Sequence, residues 1–265
     1  MSELKAKHRA MWAQGDYAAL AREVIPELGA SLVEACDLRP GQRVLDVAAG
    51  TGNAAIPAAL TGADVVASDL TPELLKAGQA VAAQRGAHLN WEVADAEAMP
   101  FKDAEFDVVM SCVGVMFAPN HQAAADELVR VTRSGGTIAL LNWTPEGFIG
   151  QMFATMKPYA PPPPPGAQPP PRWGDPDHVK ALFGDRVEDF TATHRTVRID
   201  RFKTPEEFRD YFKAFYGPTI AVYRNIADAP ERVAELDEAL AALARSHLGE
   251  EGMDWEYLLV TARKI

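Results

Sequence analysis

Cysteine is scarce. Only Cys36 and Cys112 occur in 265 residues, and no metal-ligand spacing surrounds them, which excludes a cysteine-built metal centre and a disulfide-dense scaffold. The pair reads as two reduced, buried thiols rather than one structural disulfide. Clusters of lysine and arginine are missing too. The formal net charge is −11, which speaks against a nucleic-acid backbone or an anionic membrane surface as partner. No run approaches the ~20 apolar residues that a membrane helix needs. The start, MSELKAKHRAMW, has no apolar core of signal-peptide type. A soluble, cytoplasmic protein is expected, with no nucleic acid and no membrane among its partners and a homodimer left open. No catalytic triad and no internal repeat is visible. The length suits one large α/β domain, or one domain carrying a sizeable insertion.

The most informative stretch that is present runs from Arg43 to Asp69, RVLDVAAGTGNAAIPAALTGADVVASD. Val44, Leu45 and Val47 suit a buried strand. Gly50-Thr51-Gly52 is a turn whose missing Cβ atoms let backbone N–H groups approach a ligand. Asn53 is expected to cap the helix that follows. Val65 and Val66 begin a second strand ending at Asp69. An acid about 20 residues past a glycine turn commonly binds ribose hydroxyls, so the stretch reads as an adenosine-binding half-fold.

The rest of the chain extends the pattern. Upstream, Asp16 is expected to cap a helix carrying Leu20 and Val24. Thr71-Pro72-Glu73 opens a helix with a capping threonine and proline at the first position. Strands are expected at Leu89–Val93, Phe106–Met110 and Thr137–Trp143, with Ser134-Gly135-Gly136 as a turn and a helix over Ala123–Thr132. Alternation of this kind indicates a parallel sheet covered on both faces, with ligands at the carboxyl ends of its strands. Those ends are Asp46, Asp69, Asp95 and Cys112. The prolines between Tyr159 and Arg172 form a stiff connector. Helices follow at Asp177–Phe183, Pro205–Phe215 and Ala229–His247, with strands at Thr191–Phe202 and Trp255–Ala262.

Gly50-x-Gly52-x-x-Ala55 also satisfies a dinucleotide pattern, so NAD enters as a candidate. Asp46 opposes it, because a pyrophosphate needs no anion just before the turn, whereas a cationic ligand group does. VLDVAAGTGN, DAEAMPF with Phe106-Asp107-Val108-Val109, and LVRVTRSGGTIAL together resemble the motifs of the class I S-adenosylmethionine-dependent methyltransferases. The similarity is to the small-molecule branch that includes ubiquinone and menaquinone biosynthesis enzymes. It covers about residues 40–145 and fades beyond. Ala48 stands where many members have glycine.

That resemblance implies a fold: α/β, a Rossmann-like seven-stranded, mostly parallel sheet with an antiparallel last strand and a helical cap in the C-terminal half. Residues 1–40 become an N-terminal helical lid, 41–145 the cofactor-binding core, and 146–265 the cap insertions plus the closing strands. It also implies S-adenosyl-L-methionine as cofactor, with S-adenosyl-L-homocysteine as product. Asp46, Ala48, Gly50, Gly52 and Asn53 surround its methionine part, Asp69 takes the ribose hydroxyls, and Asp95 and Ala96 read the adenine. Leu70 and Met99 sandwich the ring, Cys112 lines the methionine side, and Trp12 and Tyr17 fold over the cofactor. His121 and His194 are the candidate general bases, needed only if the nucleophile arrives protonated. The aromatic-rich segments 146–185 and 203–250 sit over the sheet edge and point to a small or medium-sized, partly apolar acceptor. The loop SCVGVMF lacks the motif of DNA amino-methyltransferases. Two other readings stand beside this one: a cofactor-binding enzyme of this fold that catalyses cyclisation, and a non-catalytic binding protein.

Overall fold

A computed structural model describes residues 3–265; Met1 and Ser2 of the expected lid lie outside the described residues. Five parallel strands form the centre: β1 (Arg43–Val47), β2 (Asp64–Asp69), β3 (Asn90–Val93), β4 (Phe106–Cys112) and β5 (Thr132–Trp143). β6 (Val187–Ile199) and β7 (Met253–Lys264) complete a seven-stranded sheet in the order β3-β2-β1-β4-β5-β7-β6. β7 runs antiparallel to both of its neighbours. The expected sheet is therefore present. Its strand order reverses between β1 and β4, and such a switch point opens a crevice at the carboxyl ends of the two strands.

The helices bury the sheet from both sides. α3 (Pro26–Cys36), α4 (Ala55–Leu60) and α5 (Pro72–Gln84) cover one face, and α6 (His121–Val131) and α8 (Pro176–Phe183) the other. α7 (Phe148–Met156), α9 (Pro205–Phe215), α10 (Gly217–Asn225) and α11 (Pro230–His247) pack on one another as a cap. Its centre is aromatic: Phe208 and Phe212 have ring centroids 4.6 Å apart, and Phe148 stacks on Trp255 of β7 at 5.2 Å. Burying rings of this size is the largest apolar contribution a side chain makes.

The first two helices, α1 (Glu3–Trp12) and α2 (Tyr17–Glu23), lie across the carboxyl edge. Asp16 caps α2 as expected, its carboxylate accepting the Ala19 N–H at 2.9 Å. The α1–α2 turn rests on the cap. The Asp16 N–H donates to the Phe215 carbonyl at 3.2 Å. At Gly217 a Cβ would collide with the Met11 carbonyl oxygen, so the cap approaches α1 as only glycine permits.

Several local expectations are corrected. Asn53 does not cap α4; Ala54 holds that position, and the Asn53 amide instead donates to the Ile25 carbonyl at 3.2 Å. Thr71 stands at the start of α5 without a side-chain cap bond; its side chain is turned to Asp69, whose Oδ1 also accepts the Thr71 N–H at 2.8 Å. Ser134–Gly136 is absorbed into β5, where pairing of Phe106 with Thr132 carries the ladder across a register shift. α10 lies outside the expected helices. Its Gly-Pro start reads as a turn, yet proline is well accommodated in a first helical turn. Both cysteines are free, Cys36 buried and Cys112 half-buried.

Candidate active site

β1 delivers Asp46 to the switch point, and the next residues leave the sheet as a tight turn. Ala48, Gly50 and Gly52 have φ of 55°, 56° and 81°, a region that glycine enters freely and alanine only with strain. Gly50 is locked from outside by Asp69, whose Oδ2 accepts its N–H at 2.8 Å. Asp69 thereby ties the β2 end to the turn and, through Thr71, to the first turn of α5. Burial raises the Asp69 pKa, while the two N–H bonds from Thr71 and Gly50 pull it back.

Asp46 has no such support. It is 1% exposed, and neither carboxylate oxygen has a hydrogen-bond partner among the described residues. Burial pushes its pKa up to about 8, opposed by the dipole of the Ala55 N–H and assisted by the Asp69 charge. The Ala55 group lowers the pKa without meeting hydrogen-bond geometry, so the carboxylate counts as unpaired. A buried group in that state is costly and asks for a partner.

A cleft of about 80 Å³ opens at this edge. Ala48, Gly50 and Asp69 face it from the turn and from β2, Leu70, Asp95 and Ala96 from beyond, and Trp12 and Tyr17 from α1 and α2. Asp46, Gly52 and Asn53 lie behind the turn and do not line it. Met99 does not reach it; its side chain joins the core, and its N–H donates to Glu127 Oε2 at 2.5 Å. Cys112 stops one residue short of the lining Val113. Val113 has φ 44°, a real outlier for a β-branched residue, and such strain collects at functional loops.

Neither candidate base is brought to the cleft. His121 begins α6 on the far face, fully buried, with Nδ1 2.9 Å from His178 Nε2 and its ring 5.5 Å from that of Trp173. Burial, then His178 and Arg172, push its pKa down to about 3, so the imidazole stays neutral. His194 lies on exposed β6, the last strand of the sheet, opposite Leu258.

Among the cleft residues outside the expected set are Lys5 and His8 of α1. Lys5 Nζ lies 2.8 Å from Asp95 Oδ1 and 2.9 Å from Glu97 Oε2. Arg9 reaches Glu73 of α5 at 2.8 Å. α1 is thus held down across the cleft mouth by three ionic contacts. The signal available in the sequence is the helical spacing of Lys5, Arg9 and Trp12, which puts them on one face.

Behind the cleft lies a second, apolar chamber of about 20 Å³. Trp12, Tyr17, Val113 and Phe117 border both spaces. Trp12 meets Phe117 edge-on at 4.7 Å and Tyr216 at 5.8 Å, closing the passage between them. No group of three or more His, Cys, Asp or Glu suited to a metal ion exists among the described residues.

A family profile described as a methyltransferase domain matches residues 45–140, the turn and the strands that carry the cleft. Uncharacterized protein Rv1403c of Mycobacterium tuberculosis is 56% identical over 257 residues, covering 97% of this chain and 94% of its own. The chain belongs to the family of class I methyltransferase-fold proteins. The Renibacterium salmoninarum demethylmenaquinone methyltransferase is 39% identical over 113 residues, which is 43% of this chain and 46% of that one. Among solved structures, a putative methyltransferase from Bacillus halodurans aligns with TM-score 0.60 at 22% identity, covering 89% of this chain and 98% of that one. The [4+2]-cyclase SpnF aligns at 0.58 and 20%, covering 90% and 81%. A geranyl diphosphate methyltransferase in complex with S-adenosylmethionine aligns at 0.55 and 16%, covering 91% and 85%. At these identities the structures speak for the fold.

Proposed function

We propose that this protein is an S-adenosylmethionine-dependent methyltransferase acting on a small, partly apolar acceptor. The observation that carries the reading is the unpaired, buried carboxylate of Asp46 beside the glycine turn. NAD would bring an anionic pyrophosphate to that turn, against an existing carboxylate. S-adenosylmethionine brings an α-ammonium and a sulfonium. The methyltransferase-domain profile over residues 45–140 supports the same choice.

In this reading Asp46 and the amides of the Ala48–Gly52 turn hold the methionine part. Asp69 keeps lone pairs for the ribose hydroxyls while its N–H bonds fix its orientation. Asp95 and Ala96 meet the adenine amino edge, and Leu70 packs beside the ring. When bound, the cofactor supplies a methyl group on a positively charged sulfur. The chain's contribution is to position and to exclude water. α1 and α2 act as the lid, with Trp12 and Tyr17 over the reacting end. Burial raises the Tyr17 pKa, so its hydroxyl stays protonated at neutral pH and serves as a hydrogen-bond donor rather than a base.

Calorimetry with S-adenosylmethionine, S-adenosylhomocysteine and NAD tests the proposal. Micromolar binding of the first two is expected, with Asp46→Asn weakening S-adenosylmethionine at least tenfold. NAD binding without S-adenosylmethionine binding would overturn it.

A further inference from the structure

The sheet ends in two unlike edges. On one side β3 is four residues long, a short edge of the kind that discourages further pairing. On the other side β6 is 13 residues long, and no strand lies beyond it among the described residues. Its sequence, VEDFTATHRTVRI, contains no proline and no lysine, two residues that commonly guard an edge. A bulge at Asp189, φ 51°, marks its beginning, and from Thr191 to Ile199 the ladder with β7 runs without interruption. Every residue from Thr191 to Thr196 is exposed. Successive strand residues point to opposite faces, so neither helical layer covers this stretch. It offers a row of outward N–H and C=O groups framed by threonines.

We propose that this edge of β6 is a dimer interface, at which a second copy of the chain adds its own β6 antiparallel and the two sheets become one. The charges select the occupant. Glu188 and Asp189 stand near the beginning of the strand and Arg195 toward its end, and none of the three side chains has a hydrogen bond or ion pair among the described residues. An antiparallel copy brings each Arg195 to the two acids of the other chain. A parallel copy sets like charges level with one another, which is unfavourable. Arg198 does not enter this choice, since Asp254 and Glu251 already hold it. The pairing of Arg195 with the acids puts a twofold axis near Ala192, and Thr191 of each copy then lies opposite Thr193 of the other. β-Branched threonines pair well across strands, by packing and by hydroxyl hydrogen bonds. Pairing of β6 with itself is also the arrangement that closes. β6 set on β3 of another copy is a head-to-tail contact, which leaves an edge free at each end and grows into filaments, and β3 is too short to cover Thr191–Ile199. The contact is a narrow ribbon, so the dimer is expected to dissociate in the micromolar range rather than to be obligate. β5 and β7 separate this edge from β4 and the cleft, and the inference stands whatever the cleft holds.

Sedimentation velocity of the full chain tests this. Wild type is expected to pass from monomer to dimer as its concentration rises to about 100 µM. Arg195→Glu and, separately, Glu188→Arg/Asp189→Asn should each weaken the dimer at least tenfold; asparagine suits the positive φ at position 189. An equimolar mixture of the two variants should recover the dimer, because each then meets its complement. A short bismaleimide should join Ala192→Cys into covalent dimers. Wild type, with one cysteine buried and one half-buried, and Asn90→Cys on the β3 edge should stay unlinked. A wild type that remains monomeric at that concentration, a dimer indifferent to both charge variants, or a cross-link yield at Ala192 no higher than at Asn90 would each overturn the proposal. So would two charge variants that weaken singly, with urea midpoints matching wild type, yet show no recovery when mixed.

Discussion

The cleft and the chamber meet at Trp12 and Val113 yet are made from different materials. The floor of the cleft is backbone and carboxylate: a turn in the left-handed region and Asp69 braced by two N–H groups, with Asp46 unpaired behind the turn. The chamber is aromatic side chain, drawn from both ends of the chain. Cleft residues stand in their places because the strand–turn–helix geometry puts them there, so they contribute recognition more than stability. Chamber residues are also the core of the cap. Substitutions on the two sides should therefore fail in opposite ways.

Phe212→Ala should show the largest effect. Phe212 is 2% exposed and packs edge-on against Tyr216 and Trp255 at 5.3 and 5.9 Å. Truncating a buried phenylalanine costs about 3–5 kcal/mol, read as a lower urea midpoint. A loss under about 1 kcal/mol would mean that the chamber wall is independent of the core, and the contrast would fail. Asp46→Asn is the counterpart. It removes a buried carboxyl that must take up a proton or stand unpaired, so stability should hold or rise, while S-adenosylmethionine binding loses about 2–3 kcal/mol, the scale of a charge-assisted hydrogen bond. Destabilisation with unchanged affinity would reverse the assignment.

How each half reads from sequence follows from the same difference. Asp46, Gly50, Asp69 and Asp95 belong to strand ends and the turn between them, whose spacing is set by the local β-α-β unit, so that side of the site can be placed from the chain alone, whereas Lys5 and His8 of α1 cannot. Phe117 and Trp255 carry no such signal. Trp255 joins Trp12 at the chamber only once β7 returns beside β5, Phe117 meets it only once α1 lies over the loop after β4, and an aromatic residue bound for a chamber looks like one bound for the core. The sheet is legible because its alternation is local; α10 is not, because its Gly-Pro start mimics a turn. Motif position puts Met99 beside the adenine, but its side chain turns into the core. His121 illustrates the limit for single polar residues, since only the fold reveals its pairing with His178.

The pH dependence of stability should separate the two sides of the sheet. The folded Asp46 pKa of about 8 lies above the unfolded value near 4. Between those values the folded state holds more protons, so Asp46 makes the ligand-free protein less stable as pH rises through that window. Asp46→Asn should flatten this slope. Pairing with a ligand ammonium lowers the pKa, so S-adenosylmethionine binding at pH 7 should release protons, visible as a buffer-dependent enthalpy. His121 acts in the other direction. Its folded pKa of about 3 lies below the unfolded value near 6.5, so stability is lost as pH falls through that range. Identical slopes in wild type and Asp46→Asn would show that Asp46 is ionised throughout.

α1 sharpens the comparison further, because it touches both spaces. Lys5→Met keeps most of the side chain's length and removes its charge. The Lys5–Asp95 contact is largely shielded, with Lys5 side-chain exposure of 11% and Asp95 of 26%. Its loss should speed S-adenosylhomocysteine dissociation several-fold in stopped-flow and blunt the acceleration that added salt produces in wild type. An unchanged rate and salt response would mean that the Lys5 pairs do not hold α1 in place.

The smallest effect is expected at Ala48. Its φ of 55° places an alanine where glycine is favoured, a strain of about 1–2 kcal/mol. Replacing it with glycine relieves that strain but raises the entropy of the unfolded chain, which returns about 0.5–1 kcal/mol. The net gain for Ala48→Gly should be about 0–1 kcal/mol, measured by urea unfolding. The Ala48 Cβ also packs toward Gly114, where an added Cβ would lie 2.9 Å from it. That contact steadies the floor of the cleft. Ala48→Gly should therefore leave S-adenosylhomocysteine affinity equal or slightly weaker, even as the fold gains. A destabilised variant would show that the Gly114 contact outweighs the backbone strain, and that the turn owes its shape to packing as well as to its glycines.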